Sequence, residues 1–218
     1  MSLNKLICPL CHQLGSKKVL RKLQPHFGEQ VYLLCHNCDL VWTHPNGHLS
    51  VVSEVERYDQ HKNDPTDNRY RAFLRPAVDA ALPYISEGQS GIDFGCGPGP
   101  TLSVMLAELG YQVADFDPIY APDSKLLTKK YDFVLCTETV EHFRDPKASW
   151  DQLMSLVKPA APLVVMTQSR PPESGLKNWW YLNDPTHIAL YSSNTMNWLA
   201  ANYQKNIISF TPSTTIFI

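Results

Sequence analysis

The spacing of apolar positions changes several times along this chain, and each change marks an element. Apolar and polar residues alternate over residues 18–23 and again over 30–34, with Pro25 to Gly28 turning between them. This predicts a hairpin of two short strands. Residues 72–82 then carry apolar side chains at helical spacing, with Pro76 opening the main part of the helix and Pro83 ending it. Gly91-Ile92-Asp93-Phe94 reads as a strand and runs into Gly95-Cys96-Gly97-Pro98-Gly99-Pro100. A helix follows over residues 101–109, with Leu102, Met105, Leu106 and Leu109 on one face and Gly110 as its C-terminal cap. Residues 113–116 form a second short strand that ends in Asp117, and 131–136 a buried one. Asp145-Pro146 begins a helix with a capping acid and a first-turn proline, and its apolar face is Trp150, Leu153, Met154 and Val157. Residues 163–166 are a further strand, 195–202 a helix with Trp198 and Leu199 inward, and 206–210 with 214–218 a closing antiparallel pair. Strands alternating with helices predict an α/β fold around a largely parallel sheet.

Two stretches have no clear period. Residues 57–71 are polar and rich in aromatic side chains, including Tyr58, His61 and Tyr70. Residues 168–189 form a long irregular segment with Trp179-Trp180-Tyr181 and Asp184-Pro185-Thr186-His187. Loops of that length inside a domain usually carry function.

Composition narrows the class without deciding it. The 218 residues are 44% hydrophobic and 18% charged, and the net charge is −2. That suits one α/β domain with a small appendage. No apolar run reaches the roughly twenty residues of a membrane span, and no signal-peptide core follows Met1, so a cytoplasmic location is expected. Residues 1–44 carry a net charge of +3 through Lys5, Lys17, Lys18, Arg21 and Lys22 against Glu29 and Asp39. Such a cluster is either a solvated face or a phosphate contact.

Four of the six cysteines are paired as Cys8-Pro9-Leu10-Cys11 and Cys35-His36-Asn37-Cys38. Thiolates on two tight turns complete a tetrahedron, so Cys8, Cys11, Cys35 and Cys38 predict a closed, structural zinc site. A pair of redox motifs is the alternative, but neither follows a thioredoxin-like pattern. About forty residues build little core, and the metal would supply the folding energy.

The glycine turn carries the chemistry. Its pattern is G-x-G-x-G with Asp93 two residues ahead, not the G-x-G-x-x-G that leads a pyrophosphate onto a helix. An acid at that mouth repels a pyrophosphate and pairs with an amine, while Asp117, about twenty residues on, suits ribose hydroxyls.

From residue 71 onward the chain resembles the class I S-adenosylmethionine-dependent methyltransferases. The resemblance implies that Asp93, Gly95, Cys96, Gly97 and Gly99 lie under the methionine end of the cofactor. Asp117, with Pro118, then holds the ribose. It also implies a Rossmann-like sheet, and here the chain departs from its relatives. Only residues 118–130 separate Asp117 from the next strand, too few for the usual helix, third strand and second helix, so the third strand is expected to be vestigial or missing. Thr137-Glu138-Thr139-Val140-Glu141-His142 resembles the fourth motif of the family, especially the polyprenyl benzoquinol O-methyltransferase-like group. That implies that Thr137 and Glu138 line the cofactor site and that Glu138, Glu141 and His142 hold a divalent cation or shape the loop. The segment before the core would be a lid, with Tyr58, His61 and Tyr70 as wall residues, or a plain linker.

These readings combine into a zinc ribbon over residues 1–46, a linker or lid over 47–70 and a methyltransferase core over 71–218. The expected acceptor is a small, planar or phenolic molecule held by the aromatic loop. His187 is the candidate base and His142 the second catalytic candidate, since an imidazole titrates near neutral pH. The alternatives are an RNA or protein acceptor docked by the basic ribbon, and a cofactor-binding protein without turnover.

Overall fold

The computed structural model describes residues 6–60 and 63–218. The first strands, β1 (Ser16–Gln24) and β2 (Gly28–Cys35), form the expected hairpin, and β3 (Val41–Thr43) adds to it. Two helices follow, α1 (Val51–Tyr58) and α2 (Asn68–Ala81). The core then runs β4 (Ser90–Phe94), α3 (Thr101–Ala107), β5 (Gln112–Phe116), β6 (Phe133–Thr137), α4 (Pro146–Ser155) and β7 (Leu163–Met166). A two-residue strand β8 (Ala189–Leu190), the helix α5 (Ser193–Asn202) and the pair β9 (Ile207–Phe210) and β10 (Thr214–Phe217) complete it.

The larger sheet has the order β5-β4-β6-β7-β10-β9. Its first four strands are parallel, and β10 is antiparallel to both β7 and β9. Strand order reverses at β4, which has β5 on one side and β6 on the other; a crevice opens at the carboxyl ends there. No strand flanks β5 on its outer edge among the described residues, and residues 118–130 hold only a short 3-10 turn over Ser124–Thr128. The expected loss of the third strand is what the chain shows.

Alternation along the strands builds a core on each face. Phe133, Leu135, Val164 and Met166 pack with Leu74 and Val78 of α2 and with Leu102 and Leu106 of α3. Val134, Cys136, Leu163 and Val165 face the other way, toward Trp150 of α4 and Leu199 of α5. Trp150 is fully buried and donates its indole N–H to Tyr191; truncating such a residue to alanine costs about 3–5 kcal/mol. The same cluster contains Cys8, Leu10, Leu33, Leu40 and Trp42, so the cysteine-bearing hairpin shares a core with the main sheet.

Two differences from the sequence reading have physical causes, one local and one long-range. α2 begins at Asn68, a turn earlier than its apolar period suggests, because Asp67 accepts a 2.8 Å hydrogen bond from the Arg69 amide and caps it. Pro76 therefore lies inside the helix, where it removes one backbone bond. Burial of Leu74, Ala77 and Val78 around it offsets that loss. The second difference is β8, which pairs with β3 through Val41 opposite Leu190 and Trp42 opposite Ala189. A strand from the long irregular segment thereby closes the four-stranded sheet β1-β2-β3-β8.

Candidate functional site

At the switch point β4 delivers Asp93, which is buried, with Oδ1 lacking any hydrogen-bond partner among the described residues. Burial, and then the nearby Asp115 and Asp117, push its carboxyl up to about 8. The turn that follows is crowded. Gly95 has φ +82°, and a Cβ there would lie 2.2 Å from the Thr139 side chain, whose hydroxyl donates to the Gly95 carbonyl at 3.1 Å. A Cβ on Gly99 would lie 1.5 Å from the carbonyl oxygen of Asn63, so residues just ahead of α2 rest directly on the turn. Beyond β5, Asp117 accepts from the Gly97 amide through Oδ2 at 3.1 Å and from the Ile119 and Tyr120 amides through Oδ1 at 2.8 and 3.0 Å. Its carboxylate is thus oriented before any ligand arrives.

A second group of polar side chains gathers after β6. Glu138 adopts φ +48°, a left-handed conformation that costs a non-glycine residue about 1–3 kcal/mol. The Tyr181 hydroxyl bridges the two glutamates: it donates to Glu141 Oε1 and lies 3.1 Å from Glu138 Oε2. Burial, and then the Glu141 charge, raise the Glu138 carboxyl to about 9. Glu138 Oε1 and Glu141 Oε2 have no hydrogen-bond partner among the described residues. Both histidines are oriented by backbone carbonyls, His142 Nδ1 by Thr186 at 3.1 Å and His187 Nδ1 by Tyr181 at 2.7 Å. A carbonyl only accepts, so Nδ1 carries a proton in each ring, and in a neutral ring the lone pair lies on Nε2. The rings lie 4.9 Å apart. Burial, and then His187, lower the His142 pKa to about 4.

The candidate ligands for a divalent cation regroup. Ligand atoms of Glu141, His142 and His187 lie within 4.8 Å of one another, and Glu138 is not in that set. Of the three consecutive aromatics, Tyr181 is buried, Trp179 tilts against it and Trp180 is 61% exposed. Roofing the core and facing the cleft are divided between them.

These groups share one cleft of about 990 Å³. Asp93, Gly95, Cys96, Gly97, Gly99, Asp117, Pro118, Thr137 and Glu138 line it, as do His142 and His187. Tyr58 and Tyr70 form part of the wall; His61 lies outside the described residues. The sequence reading missed the polar clasp of α1 at the mouth. Arg57 pairs with Asp184 at 2.9 Å, Glu54 pairs with Arg144 at 2.6 Å, and the Tyr120 hydroxyl donates to Asp59 at 2.7 Å. Tyr58 packs edge-on against His142 with ring centroids 5.2 Å apart. Each partner is far away in the chain, and only the charged, aromatic character of residues 54–59 hinted at it.

The four paired cysteines converge, with Cys8 Sγ 3.6 Å from Cys38 Sγ and Cys11 Sγ 3.4 Å from Cys35 Sγ. All four are free thiols. Hydrogen bonds from Cys38 and Cys8 pull the Cys35 thiol well below the ordinary cysteine range. A compact set of four sulfurs, three of them buried, fits a tetrahedral thiophilic ion and leaves no open coordination position.

Comparison with known proteins agrees with this geometry. A ubiquinone biosynthesis O-methyltransferase of Cereibacter sphaeroides (strain ATCC 17029 / ATH 2.4.9) is 30% identical over 156 residues, covering 61% of this chain and 61% of that protein. The chain thus spans less than two thirds of the length of the curated relatives it matches. Two solved structures share the fold. The Burkholderia thailandensis 1,6-didemethyltoxoflavin-N1-methyltransferase, with bound 1,6-didemethyltoxoflavin and S-adenosylhomocysteine, is 12% identical, with a TM-score of 0.55 over 84% of this chain and 96% of that one. The PH0226 protein of Pyrococcus horikoshii OT3 is 13% identical, with a TM-score of 0.52 over 74% and 96%. The α/β architecture is therefore that of the Rossmann-like class I methyltransferases. Residues 66–209, well over half of the chain, match the family described as Methyltransferase domain, and the chain belongs to that family.

Proposed function

We propose that the chain transfers a methyl group from S-adenosylmethionine to a small, planar or phenolic acceptor, with Cys8, Cys11, Cys35 and Cys38 holding a structural zinc ion. The observation that carries this reading is the continuity of the cleft: the glycine turn with Asp93 and Asp117 opens into the same cavity as Glu138, Trp180, His142 and His187. Both reactants would meet there without crossing a barrier. The curated relatives named for an O-methyl transfer in ubiquinone biosynthesis support a small-molecule acceptor.

The cofactor supplies an activated methyl group. The chain's own residues align and desolvate. Asp93, with its unpartnered oxygen, suits the α-ammonium group, and Asp117 suits the ribose hydroxyls. The turn glycines allow close approach to the backbone, and Asn63 covers it. Tyr58 and Tyr181 exclude water on the acceptor side, where alignment provides much of the rate. If the acceptor is a hydroxyl, Nε2 of His187 takes its proton, and His142 orients the loop after β6. Alternatively, Glu141, His142 and His187 would suit a divalent cation that lowers the pKa of that hydroxyl, with Nε2 of His187 then a ligand rather than the base. Residues 1–46 serve as the ribbon, 47–70 as the lid and 71–218 as the catalytic core.

A nucleic-acid acceptor is less favoured by the ribbon's own contacts. Lys17 pairs with Glu173, Arg21 with Glu29, and Lys22 donates to Asn183. Three of the four hairpin cations are engaged within the chain. No helix among the described residues is long and apolar enough to cross a membrane.

The test supplies methyl-labelled cofactor to a cell extract with and without ribonuclease and protease. Label that survives both treatments supports a small acceptor, and label lost with ribonuclease indicates RNA. Cofactor binding with no label transferred indicates a non-catalytic protein.

A further inference from the structure

The loop that carries His187 is fastened to the cysteine-bearing hairpin by two buried amides. Gln24 and Gln30 are each 1% exposed, an uncommon state for a glutamine. Gln30 Nε2 donates to the Pro185 carbonyl at 2.7 Å and to the Gly47 carbonyl at 3.1 Å. Its Oε1 accepts from Gln24 Nε2 and from the Tyr32 hydroxyl, both at 2.8 Å. Gln24 Nε2 also donates to the Leu182 carbonyl at 2.8 Å. All four hydrogen-bonding positions of the Gln30 amide are thereby filled, which fixes its orientation.

The carbonyls these amides grip belong to Leu182 and Pro185. Both lie between Tyr181, whose carbonyl orients the His187 ring, and His187 itself. Apolar packing acts on the same turn: Tyr32 and Val41 of the hairpin sheet form a cluster with Leu176, Tyr181, Leu182 and Leu190. The Ile188 carbonyl accepts from the Thr43 amide at 2.8 Å, and β8 follows on β3. A buried carbonyl without a donor is costly, so the turn has one conformation in which Gln24 and Gln30 are satisfied.

We propose that Gln24 and Gln30 are positioning residues for His187, so that the zinc-ribbon hairpin acts as the template of the acceptor half of the cleft. They touch neither reactant; they act through the turn over residues 182–185. The catalytic meaning of this positioning rests on the function proposed above, whereas the positioning itself is measurable without it.

The test compares the intact chain with Gln30→Leu and Gln24→Leu. Histidine-labelled protein gives the His187 ring resonances, assigned with His187→Ala, and amide exchange read by mass spectrometry gives the opening of each segment. The expected result is exchange roughly tenfold faster over residues 181–190 in Gln30→Leu, with a smaller increase in Gln24→Leu. The His187 resonances should move in both variants. Exchange over residues 91–117, zinc content and calorimetric S-adenosylhomocysteine affinity should stay at their original values. Unchanged His187 resonances and unchanged exchange over 181–190 in both variants would overturn the proposal. So would a uniform rise in exchange across the hairpin with loss of zinc in both, because that denotes hairpin stability alone. Should only Gln30→Leu lose its zinc, Gln24→Leu, which deletes a single grip on the turn, decides the matter. If S-adenosylhomocysteine fails to bind the unaltered chain, the methyltransferase reading falls, while the His187 resonances still judge the two glutamines.

Discussion

The Gly97 amide donates a 3.1 Å hydrogen bond to Oδ2 of Asp117, joining the turn after β4 to the acid after β5. Asp117→Ala removes this link together with the acceptor proposed for the ribose. S-adenosylhomocysteine affinity measured by calorimetry should fall by about 1–3 kcal/mol. Gly99→Ala should weaken binding as well, because its Cβ meets the Asn63 carbonyl and displaces that segment. Undiminished affinity in both variants would locate the cofactor elsewhere.

Asp93 gives cofactor binding a pH dependence of defined sign. With its carboxyl held near 8 by burial, the empty site carries a proton at neutral pH. Pairing with an ammonium group favours the ionised form, so binding expels that proton. Affinity should rise with pH up to about 8 and level off above it. Calorimetry in buffers of different ionisation enthalpy should detect release of roughly one proton per site at neutral pH, lost in Asp93→Asn. Equal proton release in the variant would refute the assignment.

The histidines should separate cleanly. His142 is neutral above about 4, so its ionisation cannot produce a change in rate near neutral pH. His187→Ala should lower turnover about a hundredfold with cofactor affinity retained. His142→Ala should disturb ligand binding also, since its ring touches both Tyr58 and His187. Full turnover by His187→Ala on the true acceptor would leave alignment as the whole of catalysis.

The cysteine cluster predicts about one zinc ion per chain in protein prepared without added metal. Cys35→Ser should lose it. Because Cys8, Cys35 and Cys38 share an apolar cluster with the main sheet, amide exchange should rise across the hairpin and around Trp150 of α4 as well. Stoichiometric disulfides in place of metal would disprove the site.

Local rules sufficed where residues act through their neighbours in sequence. Strand, turn and helix over residues 91–110 need only alternation, glycine and a helical period, and Asp117 follows at a fixed interval. The cysteine pairs declare themselves by spacing. What stayed hidden was decided by long-range contact. Ala189 and Leu190 are too short to show a period, and they become a strand only because β3 offers an open edge. Nothing in their neighbours in sequence marks Gln24 and Gln30 as buried; the loop over 181–188 covers them. The clasp of α1 joins residues far apart in the chain, 61 positions for Tyr120 and Asp59 and 90 for Arg144 and Glu54, beyond any local pattern.

α1 has no buried side chain. Charge holds it over the cleft, through Arg57 to Asp184 and Glu54 to Arg144, while its neighbour α2 is anchored by an apolar face. Salt weakens the first kind of attachment to the extent that solvent reaches the pairs, whereas kosmotropic salts strengthen the second. Ionic strength therefore acts on this molecule as a throttle on traffic: brine should loosen the gate and hasten the exit of whatever occupies the cleft, without melting the walls around it.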